Sequence, residues 1–226
     1  KVNAIGNEER NGTFYLFYDK NQMIQSSKVP KYIEDADCKL TLYRNCRNTE
    51  NIALTSLRLL GTNKSPKLYK DAVLGDIPEI GFALTTDTTV ELLNSQIDKY
   101  INAGYTSITV LTCNTEESSI IADYCKDSKY NYKRGYIKFT TCRKFKGLES
   151  DVVIVVDIDK TTFDGSRGEQ LMYVGTSRAK YKLSCIVNMS EDDCLALMEK
   201  KGIKYNRNIL KSFVTAFNAK VLQKKD

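Results

Sequence analysis

The chain has 226 residues and a formal charge of +6, with 42% hydrophobic and 27% charged residues, which is enough apolar material for one large domain and too little bias for a disordered or membrane-spanning class. It contains no histidine, which excludes His-based metal sites, Ser-His-Asp triads and Cys-His dyads, and its seven cysteines, with no Cys-x-x-Cys pair, read as reduced thiols of a cytoplasmic protein. No apolar run approaches the ~18 residues that span a bilayer, no export signal opens the chain, and the missing initiator methionine points to a start partway through a longer protein.

Apolar runs with strand character fall at residues 13–18, 39–43, 80–84, 107–112, 136–142, 151–157 and 183–187. Between several of them lie stretches with apolar spacing near 3.6, at 49–60, 89–101, 116–125, 168–179, 191–200 and 209–222. Helix starts are expected at Asn48 or Thr49, at Thr88 or Thr89, and at Ser190. Residues 61–80 hold two of the three prolines and read as a connection with a short hairpin. Strands alternating with helices imply an α/β fold, a mostly parallel sheet with helices on both faces. The run Val152–Val156 fits a central strand of such a sheet. In open α/β sheets the chemistry is expected just beyond the strand C-termini. Basic clusters at 126–134, 138–146, 200–211 and 224–225 suit contact with a phosphate backbone, although solvated faces produce the same pattern.

Four segments carry polar groups of the right kind for nucleotide chemistry. The stretch 14–25 is an aromatic strand running into Asp19 and Gln22. In 42–52 a strand end meets a helix start holding Arg44 and Arg47, and helix N-termini and arginine both favour anions. In 142–149 a basic turn leads into Lys146-Gly147-Leu148-Glu149. Glycine there lets backbone approach a ligand, and a carboxylate can accept from ribose hydroxyls. In 168–180 an apolar-faced helix runs toward Arg178, whose planar fork suits a phosphate. Each segment alone is equally an ordinary turn, cap or surface arginine.

Taken in order, these segments resemble motifs III to VI of the UvrD/Rep type of superfamily 1 helicase. Tyr-Asp-Lys-Asn-Gln-Met-Ile (18–24) is similar to motif III, and Arg-Asn-Cys-Arg-Asn-Thr-Glu-Asn-Ile (44–52) to motif IV. Thr-Cys-Arg-Lys-Phe-Lys-Gly-Leu-Glu (141–149) resembles motif V, and Leu-Met-Tyr-Val-Gly-Thr-Ser-Arg-Ala (171–179) resembles motif VI. The resemblance implies a RecA-like fold of the P-loop NTPase type. Residues 1–38 would be the tail of a first RecA-like domain and 39–226 the second such domain. It further implies that Gln22 senses the γ-phosphate, that Arg47 and Arg178 reach it across a domain cleft, and that Gly147 and Glu149 lie at the nucleotide, Glu149 on its ribose. Thr141, Arg143 and Lys144 would lie near a single strand. Two guanidiniums beside a breaking phosphoanhydride offset the charge that develops there.

Several positions depart from the family. Cys46 stands where motif IV has an adenine-stacking tyrosine, Tyr18 replaces a glycine, Arg143 replaces a histidine, and Ser177 replaces a threonine. No Gly-Lys dipeptide occurs, so the chain has no phosphate-binding loop. Asp157, at the end of an apolar run, reads as a strand-end carboxylate rather than a Mg²⁺ ligand. The interval between motifs IV and V is too short for a large inserted domain. The expectation is the C-terminal motor domain of an ATP-dependent helicase or translocase on single-stranded or duplex DNA, with RNA as the alternative substrate. ATP and Mg²⁺ would be held mainly by an upstream RecA-like domain. The rival reading is a degenerate, non-catalytic module that binds nucleic acid or a partner protein.

Overall fold

The computed structural model describes residues 31–35, 38, 45–62, 64–126 and 137–222. The strands expected at 13–18 and 39–43, and Gln22 with motif III, lie outside the described residues. In chain order the elements are α1 (Lys31–Glu34), α2 (Glu50–Leu59), β1 (Glu79–Phe82), α3 (Thr86–Asn102), β2 (Ile108–Thr112), α4 (Ala122–Lys126) and β3 (Ile137–Thr141). There follow β4 (Ser150–Ile158), a 3-10 turn (Lys160–Phe163), α5 (Ser166–Thr176), β5 (Ala179–Val187), α6 (Glu191–Lys200), α7 (Ile209–Ala216) and β6 (Lys220–Val221).

The six strands form one sheet in the order β3-β2-β4-β5-β1-β6, and every pairing in it is parallel. The fold is therefore α/β, with the mostly parallel sheet expected for a RecA-like domain. Both faces are covered, as parallel sheets require. Val153 and Val155 of β4 enter a core formed with Ile52 of α2, Leu171 and Met172 of α5 and Phe213 of α7. Val152, Ile154 and Val156 point the other way, into a core with Leu93 and Ile97 of α3. That two-sided burial is why β4 reads as an unbroken apolar run instead of an alternating one.

Three helices differ from expectation for identifiable reasons. α3 begins at an earlier threonine: Thr85 accepts from the Thr88 amide while the Thr88 hydroxyl accepts from the Thr85 amide, a reciprocal cap. Of the stretch 116–125 only α4 is helical, because its upstream polar groups bond elsewhere. Ser119 and the Ile120 amide bond to Asp157, and Glu116 bonds to Thr140 and Lys144. The helix expected over 209–222 stops at Ala216. Asn218 then adopts φ +56°, a left-handed turn that asparagine tolerates, and Lys220–Val221 adds an edge strand beside β1. Among the described residues of 61–80 there is no hairpin before β1, and the chain at 73–74 runs across the start of α2. Thr49 makes no side-chain cap there, and the Glu50 and Asn51 amides donate instead to the Val73 and Leu74 carbonyls at 2.9 and 3.1 Å.

Candidate functional site

The sequence-predicted residues divide between the two edges of the sheet. Thr141 ends β3 and Asp157 lies at the end of β4, so both sit on the C-terminal edge. Glu149 immediately precedes β4 and Arg178 immediately precedes β5, which puts them on the opposite, N-terminal edge. Of the candidate residues, Thr141 and Asp157 thus lie where the strand-end expectation put the chemistry, and Glu149 and Arg178 lie at the opposite edge.

On the N-terminal edge, Arg47 and Glu149 form an ion pair, Nε to Oε2 at 3.1 Å, with side chains 40% and 50% exposed. Three backbone and side-chain contacts fasten this pair beside Arg178. The Ser150 amide donates to the Arg178 carbonyl at 3.1 Å. Asn48, next to Arg47 and itself only 6% exposed, donates to the carbonyls of Ser177 and Ala179 at 3.0 and 2.6 Å. The corner holding Arg178 is therefore bonded both to the start of β4 and to the start of α2. Arg178 as a whole is 2% exposed, and its Nε donates to the Val174 carbonyl in the last turn of α5 at 3.1 Å. Part of Arg178 thus closes the helix C-terminus. The helix start beside Arg47 is not an open anion site, since its first two amides are taken by Val73 and Leu74.

Gly147 has φ +91°, a left-handed conformation in which a side chain is strained, and this turns the chain toward Glu149. Glu149 and Gly147 also line an open cavity of about 740 Å³ with Ser107, Lys138, Phe145 and Leu148. Gly175 of α5 is needed for a different reason. A Cβ there would lie 2.6 Å from Sγ of the buried Cys142, so α5 can seat against the turn after β3 only without a side chain.

On the C-terminal edge, Arg143 and Lys144 are exposed, whereas Thr141 is buried. The Thr141 hydroxyl accepts from the Lys144 amide at 3.1 Å and so fixes the turn. The Lys144 ammonium lies 3.0 Å from Glu116, which accepts with its other oxygen from the Thr140 hydroxyl at 2.9 Å. The Lys144 and Thr140 hydrogen bonds hold the Glu116 carboxyl below the usual range. Asp157, at φ +59°, is 5% exposed and accepts from Thr112, Ser119 and the Ile120 amide at 2.5, 2.6 and 2.9 Å. Three donors on one buried carboxylate at the end of β4 make it the anchor of the loop after β2. Among the described residues no group of three His, Cys, Asp or Glu side chains is placed to hold a metal ion, and no helix is long and apolar enough to cross a membrane.

The family model of the UvrD-like helicase C-terminal domain matches residues 136–186. Over this segment the chain is similar to UvrD-like helicase C-terminal domains. The UvrD-like stretch runs from the edge of β3 nearly to the end of β5 and includes Thr141, Arg143, Lys144, Gly147, Glu149 and Arg178, while Arg47 lies outside it. No curated protein matches the chain. Among solved structures, the C-terminal domain of a possible DNA helicase from Lactobacillus plantarum WCFS1 is similar, with a TM-score of 0.47 and 19% identity over 62% of this chain and 86% of that one.

Sequence reasoning missed Asn48 and Glu116. Asn48 was visible only as a candidate helix start, and its bonds to Ser177 and Ala179, 129 and 131 residues away, carry no local signal; the partners of Glu116 lie 24 and 28 residues away.

Proposed function

We propose that this chain is the second motor domain of an ATP-dependent helicase or translocase, acting on nucleotide bound by an upstream domain. The observation that carries the reading is the convergence of Arg47, Glu149 and Arg178 on one edge, from three segments far apart in sequence. A bound nucleotide brings phosphates that draw Arg47 away from Glu149, and the freed carboxylate can accept from a ribose hydroxyl. Arg178 lies behind this pair as a second, buried positive charge. The chain has no phosphate-binding loop, so ATP and Mg²⁺ are held mainly from the other side of the cleft. The opposite edge, with Arg143 and Lys144 exposed, faces a nucleic-acid strand.

The test is hydrolysis of ATP by the full-length protein, with and without single-stranded DNA or RNA. Strand-stimulated turnover is expected, and Arg47→Ala should lower it by roughly 10³-fold or more, the scale of arginine fingers in phosphoryl transfer. Arg178→Ala would also remove a buried helix-end contact, so Arg178→Lys, which keeps the charge and alters the fork, is the better probe there. Turnover indifferent to nucleic acid and to both substitutions would defeat the proposal.

One observation favours the rival reading, a non-catalytic module: the predicted ligands already satisfy one another, Arg47 with Glu149 and Lys144 with Glu116. A full-length protein that binds nucleic acid but hydrolyses no ATP would decide for it.

A further inference from the structure

The loop after β2 contains a carboxylate that neither the family match nor the motif reading assigns. Glu116 is held at two points. Its Oε1 accepts from the Thr140 hydroxyl on β3 at 2.9 Å, and its Oε2 lies 3.0 Å from the ammonium of Lys144. The Glu116 side chain is 30% exposed and that of Lys144 is 66% exposed. The Lys144 and Thr140 hydrogen bonds hold the carboxyl below its ordinary value. An ordinary surface ion pair has two mobile ends and contributes little. Here one end is tethered to the sheet, so the negative charge has a fixed address beside the basic turn 143–146.

We infer that Glu116 sets the grip of this corner on a nucleic-acid phosphate, by orienting the Lys144 ammonium and cancelling part of its charge. The inference rests on the proposal that the C-terminal edge faces a strand. A phosphodiester arriving at Lys144 must approach a carboxylate that already occupies one face of the ammonium. Binding there releases less than one full counterion, and the strand is held loosely enough to be passed on. A motor that steps along a chain needs contacts that let go as readily as they form, and a cation paired internally provides such a contact without losing its position.

The experiment is a salt series of binding to a labelled single-stranded oligonucleotide, with the full-length protein. Glu116→Gln keeps an oxygen for Thr140 and removes the charge. It should tighten binding about three- to tenfold at low salt and steepen the slope of log K against log salt by a part of the roughly 0.7 that one phosphate contact contributes on a single strand. Glu116→Gln combined with Lys144→Ala should lose both gains. Lys144→Gln, at the exposed partner, reads the pair from the other side and should flatten the slope by less than about 0.7. Wild-type affinity and slope in Glu116→Gln, a gain that survives in the double variant, or a full one-contact loss in Lys144→Gln would each overturn the inference while leaving the strand-facing edge standing. Absence of salt-dependent binding by the wild-type protein would overturn both.

Discussion

Asn48 donates its amide hydrogens to two carbonyls on either side of Arg178, and it does so from a buried position. Replacing the amide by a carboxylate would set a buried negative charge against two acceptors, so Asn48→Asp should cost about 3 kcal/mol in urea unfolding. It should also displace Arg47 and Arg178 from the same edge. A stability within about 0.5 kcal/mol of wild type would mean that the strap is dispensable. The thiols allow a second check at this scale. Burial pushes Cys125, Cys185 and Cys194 up to about 12, and Cys113 is raised well above its ordinary value by its hydrogen bond to Cys142 and by burial. Cys38 and Cys46 are exposed. A maleimide near neutral pH should therefore label these two first, and Cys185 and Cys194 only with unfolding. Early labelling of Cys185 would contradict the buried packing of β5. At the scale of single residues the sequence was informative where a motif supplied order: Arg47, Glu149 and Arg178 meet because they are fixed in three linked segments. It was silent on the partners of Asn48 and Glu116, which are set by the folded topology.

The elements were legible in proportion to how much of their polarity stays local. β4 was visible as an apolar run because both its faces are covered, Val153 and Val155 on one and Val152, Ile154 and Val156 on the other. α6 was visible because Ser190 and Asp193 form a reciprocal cap within four residues. The segment 116–125 misled because its apolar spacing suits a helix while its hydroxyls, amide and carboxylate bond to β3, β4 and the turn after β3. α2 lies between these cases: its periodicity was clear, and its cap comes from the chain at 73–74. Removing the side chain at the centre of β4 tests the two-faced sheet directly. Ile154→Ala should cost about 2–5 kcal/mol, as for other fully buried aliphatic truncations, read as a lowered urea midpoint with unchanged slope. A cost under 1 kcal/mol would be inconsistent with a centrally placed β4.

Across the whole molecule, ionisation limits the pH range of stability on both sides. Asp76, Glu116 and Asp193 are held below their ordinary values, mainly by hydrogen bonds from Lys182, Lys144 and Ser190 respectively. Groups lowered in the fold contribute above the unfolded values of 3.8 and 4.5, and that contribution is lost as pH falls through the lowered ones. The buried thiols act in the opposite sense. Raised from 9.0 to about 12, Cys125, Cys185 and Cys194 contribute fully below pH 9, and the contribution declines as pH rises and the unfolded chain ionises. Urea midpoints should therefore be flat between about pH 5 and pH 8.5 and fall on either side. A midpoint that climbs from pH 9 to pH 11 would contradict the thiol assignment.

The turn from Thr141 to Ser150 has a consequence for how the two edges communicate. It leaves the C-terminal edge at β3 and re-enters at the N-terminal edge at β4, with β2 between them in the sheet. It must cross a strand length of about 16 Å using residues 142–149, several of which are coiled in turns. Extended, eight residues would reach about 26 Å, so the turns within this stretch take up the excess and set how far apart the two edges are held. Lengthening it would leave each edge folded but mechanically independent, whereas lengthening the surface connection at 61–72 would not. Two glycines inserted after Lys146 should uncouple strand binding from nucleotide turnover at little cost in affinity for either. The same insertion after Thr62 should leave them linked. On the proposed function, the crossover would then link strand to nucleotide through its length as much as through the residues it displays.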